Sequence, residues 1–254
     1  MKKETLRRIA INIFYPCLSL AIVLAIWAIA SKIKGNPLVL PMPGETLSRF
    51  FKLFAKSVFW SSIGYTLIRS IVSFAISLVL AYFCALLSVV FTPLYKVISP
   101  MVTILRAAPT VAVILILYAF VSNQAMAIAV GFLIAFPILY SSIYSAMVRL
   151  DKDLIAMAKT YKVGKFRTVF NIYFLSISGQ ILDVSKSTLS LTLKVIIAAE
   201  ILTNVTGSLG GQIQVAYATF EIDYLLAWTT VAIVLSFVVE IAVALIKKLI
   251  VRWE

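Results

Sequence analysis

The stretch Asp151-Lys-Asp-Leu-Ile-Ala-Met-Ala-Lys-Thr-Tyr-Lys-Val-Gly-Lys-Phe-Arg167 lies between long apolar segments. A protein that only crosses a membrane several times does not need an amphipathic helix and a second basic half-turn between its fourth and fifth spans. This insertion therefore indicates a docking surface, and transport driven by a partner protein is the leading hypothesis.

The composition points to a membrane protein. Of 254 residues, 62% are hydrophobic and 13% are charged, whereas soluble globular proteins are about 45–50% apolar and about 25% charged. The net charge is +13, but the basic residues cluster beside apolar runs, where they set topology and contact anionic lipid, so no nucleic-acid partner is expected. Cys17 and Cys84 have no CxxC spacing and the chain has no histidine, so neither a disulfide framework nor a metal site is predicted.

Apolar runs of the length that crosses a bilayer predict an all-α, polytopic membrane protein with about six transmembrane helices. We expect residues 1–254 to form a single membrane domain, with spans at 11–30, 71–91, 101–121, 125–147, 189–205 and 224–246.

Loop charges predict cytoplasmic termini. Basic residues flank both ends of the chain, and the loop between the fourth and fifth spans is rich in them, whereas 122–124 and 206–223 contain no lysine or arginine. The segment 32–57 disagrees, because it would lie outside with five basic residues. A short interfacial helix over 46–54, following Pro37, Pro41 and Pro43, accounts for these charges.

The loop over about 149–175 contains a predicted surface helix. Asp151 and Asp153 suit a helix amino terminus, Leu154, Ala158 and Tyr161 recur at i, i+4 and i+7, and Gly164 is a natural stop. Taken alone, the pattern fits a docking helix and an ordinary positive-inside loop equally well.

This loop resembles the EAA motif of the permease subunits of binding-protein-dependent ABC importers: Glu-Ala-Ala, three residues, Gly, nine residues, then Ile-x-Leu-Pro. Ala158 and Ile172 stand at the second alanine and the isoleucine. The other signature positions are occupied by Ala156, Met157, Lys162, Phe174 and Leu175. Because Lys162 replaces the glycine, Gly164 is expected to supply a displaced turn.

Further segments of the chain resemble segments of the same family and occur in the same order. Within the family, they are most similar to those of the nitrate, taurine, sulfonate and thiamine-precursor group. The similar segments are Leu40-Pro-Met-Pro-Gly-Glu-Thr-Leu47, Thr66-Leu-Ile-Arg69, Leu105-Arg-Ala-Ala-Pro109, Ala135-Phe-Pro-Ile-Leu139 and Ala199-Glu-Ile-Leu202 with Leu209-Gly210. The resemblance implies a type I importer permease fold in a prokaryotic inner (plasma) membrane. It also implies a homodimer, two ATPase subunits that bind ATP and Mg, and an extracytoplasmic solute-binding protein. The residues it implies for ATPase coupling are Leu154, Ala158, Tyr161, Lys162, Gly164 and Phe166.

The chain itself carries no catalytic motif, since GxxxxGK[ST], HExxH and GxSxG are all missing from the sequence. We therefore expect a non-catalytic permease that binds no cofactor. We expect a small solute that is anionic or heterocyclic, but the sequence does not specify which one. The permease could pair with itself or with a paralogue.

Ionisable residues inside spans are costly, which makes Arg106, Lys194, Glu200 and Glu240 candidates for a translocation path. The competing interpretation is structural: Glu200 fixes helix packing or a dimer contact, and Arg106 and Glu240 reach an interface. Asp183 and Lys186 are expected to form a surface pair. An ion-gradient-driven secondary transporter is the alternative function, although no paired inverted repeats are visible.

Overall fold

The computed structural model describes residues 2–164 and 167–250, and this part of the chain is helical without strands, which confirms the all-α prediction. The helices are α1 (Lys2–Lys34), α2 (Pro43–Leu53), α3 (Ser57–Val90), α4 (Thr92–Ala107), α5 (Thr110–Phe120), α6 (Asn123–Val148), α7 (Lys152–Thr160), α8 (Leu175–Leu202), α9 (Leu209–Ala218) and α10 (Ile222–Ile250). A π-helical segment, Thr168–Phe174, runs directly into α8.

Four of the described helices are long and apolar enough to cross a membrane: Phe14–Lys34, Ser57–Val90, Ala125–Val148 and Ile222–Leu249. The predicted span 101–121 is not one straight helix, because α4 and α5 meet at an angle of 102° with Pro109 at the break. Counted as one broken span, this pair brings the number to five. The predicted span 189–205 begins inside α8 and extends past its end at Leu202, and the charged side chains of α8 set it apart from the apolar spans.

Helix α3 packs closely on α6 and α8 through small side chains. Its buried residues recur every three or four positions, namely Ser62, Thr66, Ser70, Ser73, Ser77, Ala81 and Ala85. Ser73 Oγ donates a hydrogen bond to the Ile128 carbonyl at 2.9 Å, and a Cβ at Gly131 would collide with that hydroxyl. Small residues let membrane helices approach, because tight packing replaces the hydrophobic drive of water.

Two apolar clusters lie along this bundle. One packs Tyr140, Ile143 and Ile177 together, with the Tyr140 hydroxyl donating to Ser88 Oγ at 2.9 Å. The other packs Leu193 and Trp228 with residues of α9. Helix α8 contributes to both, so it belongs to the bundle core despite its charges.

Helix α1 stands apart from this core. Of its most apolar 18-residue stretch, 6% is buried within the chain. Two hydrogen bonds connect it to the proline-rich segment: Trp27 Nε1 donates to the Pro41 carbonyl at 3.1 Å, and Ser31 Oγ donates to the Leu40 carbonyl at 2.8 Å. The remaining apolar surface of α1 is available to lipid or to another protomer.

The interfacial helix predicted over 46–54 is α2, and two basic residues in and just after it, Arg49 and Lys56, have partners on α10. Arg49 Nε lies 2.7 Å from an Asp223 carboxylate oxygen, and this hydrogen bond raises the pKa of the Arg49 guanidinium. The Lys56 ammonium lies 4.7 Å from the centroid of the Tyr224 ring, a cation–π contact. These contacts explain how a basic segment is accommodated on the predicted outer side.

Candidate functional site

The predicted surface helix in the inner loop exists as α7. Asp151 Oδ1 accepts a hydrogen bond from the Asp153 backbone N–H at 2.9 Å, as expected for an acidic residue at a helix start. The loop therefore presents an ordered helix to its surroundings.

One side of this helix is apolar and exposed. Leu154, Met157, Tyr161 and Val163 are 39%, 51%, 77% and 40% exposed, and we name these four residues the docking patch. Ala158 is 3% exposed, so of the three residues predicted at i, i+4 and i+7 only Leu154 and Tyr161 are exposed. Met157 and Val163 were missed, although an i, i+3, i+7 pattern through Leu154, Met157 and Tyr161 would have indicated Met157.

The turn that ends α7 lies at Lys162. This residue has φ of +50°, and the Val163 N–H donates to the Ala158 carbonyl at 2.9 Å, the six-to-one hydrogen bond of a Schellman cap. The expectation that Gly164 supplies a displaced turn is therefore wrong. A left-handed conformation costs an L-residue about 1–2 kcal/mol. Phe166, also predicted for coupling, lies outside the described residues.

A buried polar network surrounds Glu200, which is 0% exposed. Arg69 donates to Glu200 Oε1 at 2.8 Å, and Thr66 Oγ1 and the Gly210 N–H donate to Oε2 at 2.8 and 3.2 Å. Thr66 Oγ1 also accepts from the Leu209 N–H at 3.0 Å. The carboxylate thus joins α3, α8 and the amino terminus of α9, where the helix dipole favours negative charge.

Gly210 allows α9 to approach this carboxylate. A Cβ there would lie 2.5 Å from both Glu200 Cβ and the Ile197 carbonyl oxygen. We expect Gly210→Ala to destabilise the fold by about 1–3 kcal/mol, the usual cost of overpacking, in thermal unfolding of the chain in nanodiscs. Gly64→Ala in α3, where no heavy atom lies within 4 Å of the added Cβ, is the matched control and should be neutral or stabilising. Equal stability of the two variants would contradict this contact.

A largely polar stripe, interrupted by Leu191 and Ala198, runs along the exposed side of α8. Its members recur every three or four residues, and we name them the α8 stripe: Ser176, Gln180, Asp183, Ser187, Leu191, Lys194 and Ala198. Lys194 makes no hydrogen bond or ion pair with another described residue. Lys194 and Glu200 therefore occupy different environments, the first exposed and the second enclosed.

The stripe borders a polar cavity of about 440 Å³ between α6 and α8. Its polar lining is Ser141, Ser142, Ser145, Arg149, Gln180 and Asp183. Asp183 pairs with Lys247 at 2.9 Å, so the expected pair with Lys186 is wrong. Hydroxyl, amide, guanidinium and carboxylate groups therefore line this cavity.

The other predicted path residues are less enclosed. Arg106 is exposed near the bend between α4 and α5 and has no hydrogen bond or ion pair with a described residue, while Glu240 is half-buried on α10. Among the residues described, no three His, Cys, Asp or Glu side chains cluster as metal ligands.

Comparisons with known proteins identify the architecture. Residues 77–252 match the family described as the inner membrane component of binding-protein-dependent transport systems. An inward-facing structure of the MetNI methionine ABC transporter aligns with a TM-score of 0.63 at 17% identity, covering 78% of this chain and 96% of that one. A crystal structure of an amino acid ABC transporter with histidines aligns with a TM-score of 0.63 at 13% identity. The alignment covers 80% of this chain and 96% of that one. No curated protein sequence matches the chain. The structural likenesses establish the fold.

Proposed function

Because this chain belongs to the family of inner membrane components of binding-protein-dependent transport systems, we propose that two copies of it form the translocation path of an ATP-driven importer in a prokaryotic inner membrane. Each copy is a multi-pass permease subunit that performs no bond chemistry. Two cytoplasmic ATPase subunits bind ATP and Mg, and a binding protein delivers the solute. The family match does not favour a gradient-driven carrier.

The α8 stripe is the observation that carries this proposal. A row of hydroxyl, amide, carboxylate and ammonium groups is costly against lipid, and on an isolated protomer it is exposed. A second protomer facing the stripe would enclose it as an aqueous path. The ATPase would bind to the docking patch on α7 and contact Leu154 and Tyr161 directly. Ala158, which is buried, would hold the helix in place by packing against the rest of the chain.

The charge balance of the path favours an anionic solute. Glu200 is compensated by Arg69, whereas Lys194 and Arg106 have no carboxylate partner among the described residues. Unpaired cations attract anions, most strongly where the surroundings are poor in water. This supports small anions of the sulfonate and nitrate type, in keeping with the group that the sequence resembles.

Reversing the charge of Lys194 tests the solute class. We expect Lys194→Glu to lower uptake of an anionic solute by about tenfold, the effect of roughly 1.4 kcal/mol of repulsion, while Lys194→Arg retains most of it. The measurement is ATP-dependent uptake into proteoliposomes. Lys52→Glu makes the same charge change on α2 and serves as the control. Equal uptake by Lys194→Glu and the unsubstituted chain would remove Lys194 from the path.

Reconstitution tests the driving force. The chain is purified with its associated subunits, reconstituted, and supplied with a panel containing nitrate, taurine and an aliphatic sulfonate. We expect uptake of one panel member that requires both ATP and a binding protein. Uptake driven by an ion gradient without ATP would support the secondary transporter instead.

A further inference from the structure

A cavity of about 900 Å³ lies between α3, α8 and α10, and we name it the apolar groove. One end is lined by Leu67, Leu193 and Val239, which belong to the same apolar cluster. The other end is lined by Phe83, Val169 and Ile246. With both termini in the cytoplasm, as the loop charges predict, α3 and α10 run inward, so the second end is the cytoplasmic one.

The polar groups in the wall of the groove are already hydrogen-bonded. The hydroxyl groups of its described lining are those of Ser70, Tyr82, Ser178 and Ser185. Each donates to a backbone carbonyl oxygen, at distances of 2.6 to 3.3 Å. A polar solute entering the groove would exchange its hydration for an apolar wall, which is costly. The interior therefore suits an apolar occupant.

The apolar groove faces away from the α8 stripe. On α8 its lining includes Leu182, Ser185 and Leu189, whereas the stripe includes Asp183 and Ser187. At about 100° per residue, the two sets lie roughly 150° apart around the helix axis. A second protomer that faces the stripe therefore leaves the groove open to the bilayer.

The groove is long enough for a lipid acyl chain. Leu67 and Phe83, at its two ends, are 16 residues apart on α3, which corresponds to about 24 Å at about 1.5 Å per residue. The hydrocarbon core of a bilayer is about 30 Å thick, so one leaflet contributes about 15 Å. A chain from the cytoplasmic leaflet can therefore lie along the groove.

Basic residues border the cytoplasmic part of the groove. Lys186 is exposed, lies one helical turn from Leu182 of the lining, and makes no hydrogen bond or ion pair with another described residue. Three residues earlier, Asp183 pairs with Lys247 near the end of α10, which places this part of α8 close to the cytoplasmic interface. Arg167, two residues before the groove lining begins, is exposed as well. Cationic groups thus stand where anionic headgroups lie.

We propose that the apolar groove binds an anionic phospholipid of the cytoplasmic leaflet, with one acyl chain inside it and the phosphate group at Lys186 and Arg167. The apolar wall and the basic border match the two parts of such a lipid. This inference goes beyond the proposed function and depends on neither the ATPase nor the solute.

The amino-terminal helix of a second copy is the competing occupant, because α1 is apolar and stands apart from its own bundle. The cytoplasmic end of that helix carries Lys2, Lys3, Arg7 and Arg8. In the groove, these charges would lie on the same side of the membrane as Lys186 and would repel it. Charge complementarity therefore favours the phospholipid.

Selective lipid retention tests the headgroup site. The purified full-length chain is incubated with equal amounts of palmitoyl-oleoyl phosphatidylglycerol and phosphatidylcholine, and bound lipid is counted by native mass spectrometry. We expect phosphatidylglycerol to be retained about tenfold better, and Lys186→Gln to reduce that preference about fivefold, the effect of one basic residue near a headgroup. Lys52→Gln removes the same charge from α2 on the predicted outer side, and it should keep the preference within about twofold.

Filling the groove tests the acyl-chain site. Ala242 lines the groove, whereas Ala244, also exposed on α10, does not. We expect Ala242→Phe to reduce retention of phosphatidylglycerol about tenfold, because the new ring occupies the space of the chain and removes its apolar contacts. Ala244→Phe should retain the lipid like the unsubstituted chain. Since both alanines are exposed, neither variant disturbs the packed core.

Equal retention of the two lipids by the unsubstituted chain would overturn the proposal, because it would reveal only the lipid layer that surrounds any membrane protein. Equal retention by Ala242→Phe and Ala244→Phe would also overturn it. Cross-linking tests the competing occupant, since Val79 lines the groove and Cys17 is exposed on α1. A disulfide between Cys17 of one copy and Val79→Cys of another, in a Cys84→Ser background, would assign the groove to the second copy instead of a lipid.

Discussion

Replacing Arg69 with methionine is expected to destabilise the folded chain by about 3–5 kcal/mol, because it leaves a buried carboxylate without its counter-ion. Arg69 lies 2.8 Å from Glu200, and their side chains are 12% and 0% exposed. The hydrogen bonds from Thr66 and Gly210 would remain, but neither neutralises the charge. Thermal unfolding in nanodiscs measures the loss as a lower Tm.

The chain supplies its own control for this substitution. Arg49→Met breaks a pair of similar geometry, 2.7 Å from Asp223, whose side chains are 41% and 26% exposed. Exposed pairs contribute about 0–1 kcal/mol, so this variant should unfold close to the unsubstituted chain. The double variant Arg69→Met, Glu200→Leu should recover much of the lost stability, because no buried charge remains. Equal effects of Arg49→Met and Arg69→Met would show that burial of Glu200 is not what makes its pair important.

Tyr161→Asp is expected to abolish coupled transport while the chain still inserts and folds. Tyr161 is 77% exposed, so the protomer loses no packing. A charge at the centre of an apolar contact removes an aromatic anchor, and such losses are about 2–4 kcal/mol, or roughly 30- to 1,000-fold in affinity. ATP-dependent uptake and ATPase binding measured on the same preparation check this.

Ala156→Asp is the matched control, since it adds the same carboxylate to an exposed position of α7 outside the docking patch. It should leave transport nearly intact. Ala158→Asp is unsuitable, because that residue is buried and the variant would disrupt the loop itself. A Tyr161→Asp variant that transports normally would mean that α7 is only a surface helix of a positive-inside loop.

Local signals in the sequence were sufficient for much of the fold. Apolar runs predicted the helices, and Asp151 and Asp153 predicted the start of α7. Helix ends were less predictable. The predicted span 71–91 starts too late, since α3 begins at Ser57. Its polar serines lower the hydropathy of this part, although they are buried against neighbouring helices.

Contacts distant in sequence could not be predicted. Glu200 lies 131 residues from Arg69 and Asp183 lies 64 residues from Lys247, so no local pattern connects these pairs. The left-handed turn at Lys162 was also missed, because lysine rarely adopts it and Gly164 is the more obvious candidate. Helix α7 contacts the π-helical segment, and this contact between two elements has no signature in the sequence.

The most direct measurement is co-purification of the tagged chain from its native membrane in mild detergent, followed by mass spectrometry and an ATPase assay. We predict recovery of a P-loop ATPase and ATP hydrolysis with the unsubstituted chain and with Ala156→Asp, and loss of both with Tyr161→Asp. Recovery of the unsubstituted chain without an ATPase, while it still transports solute in response to an ion gradient, would contradict the importer assignment.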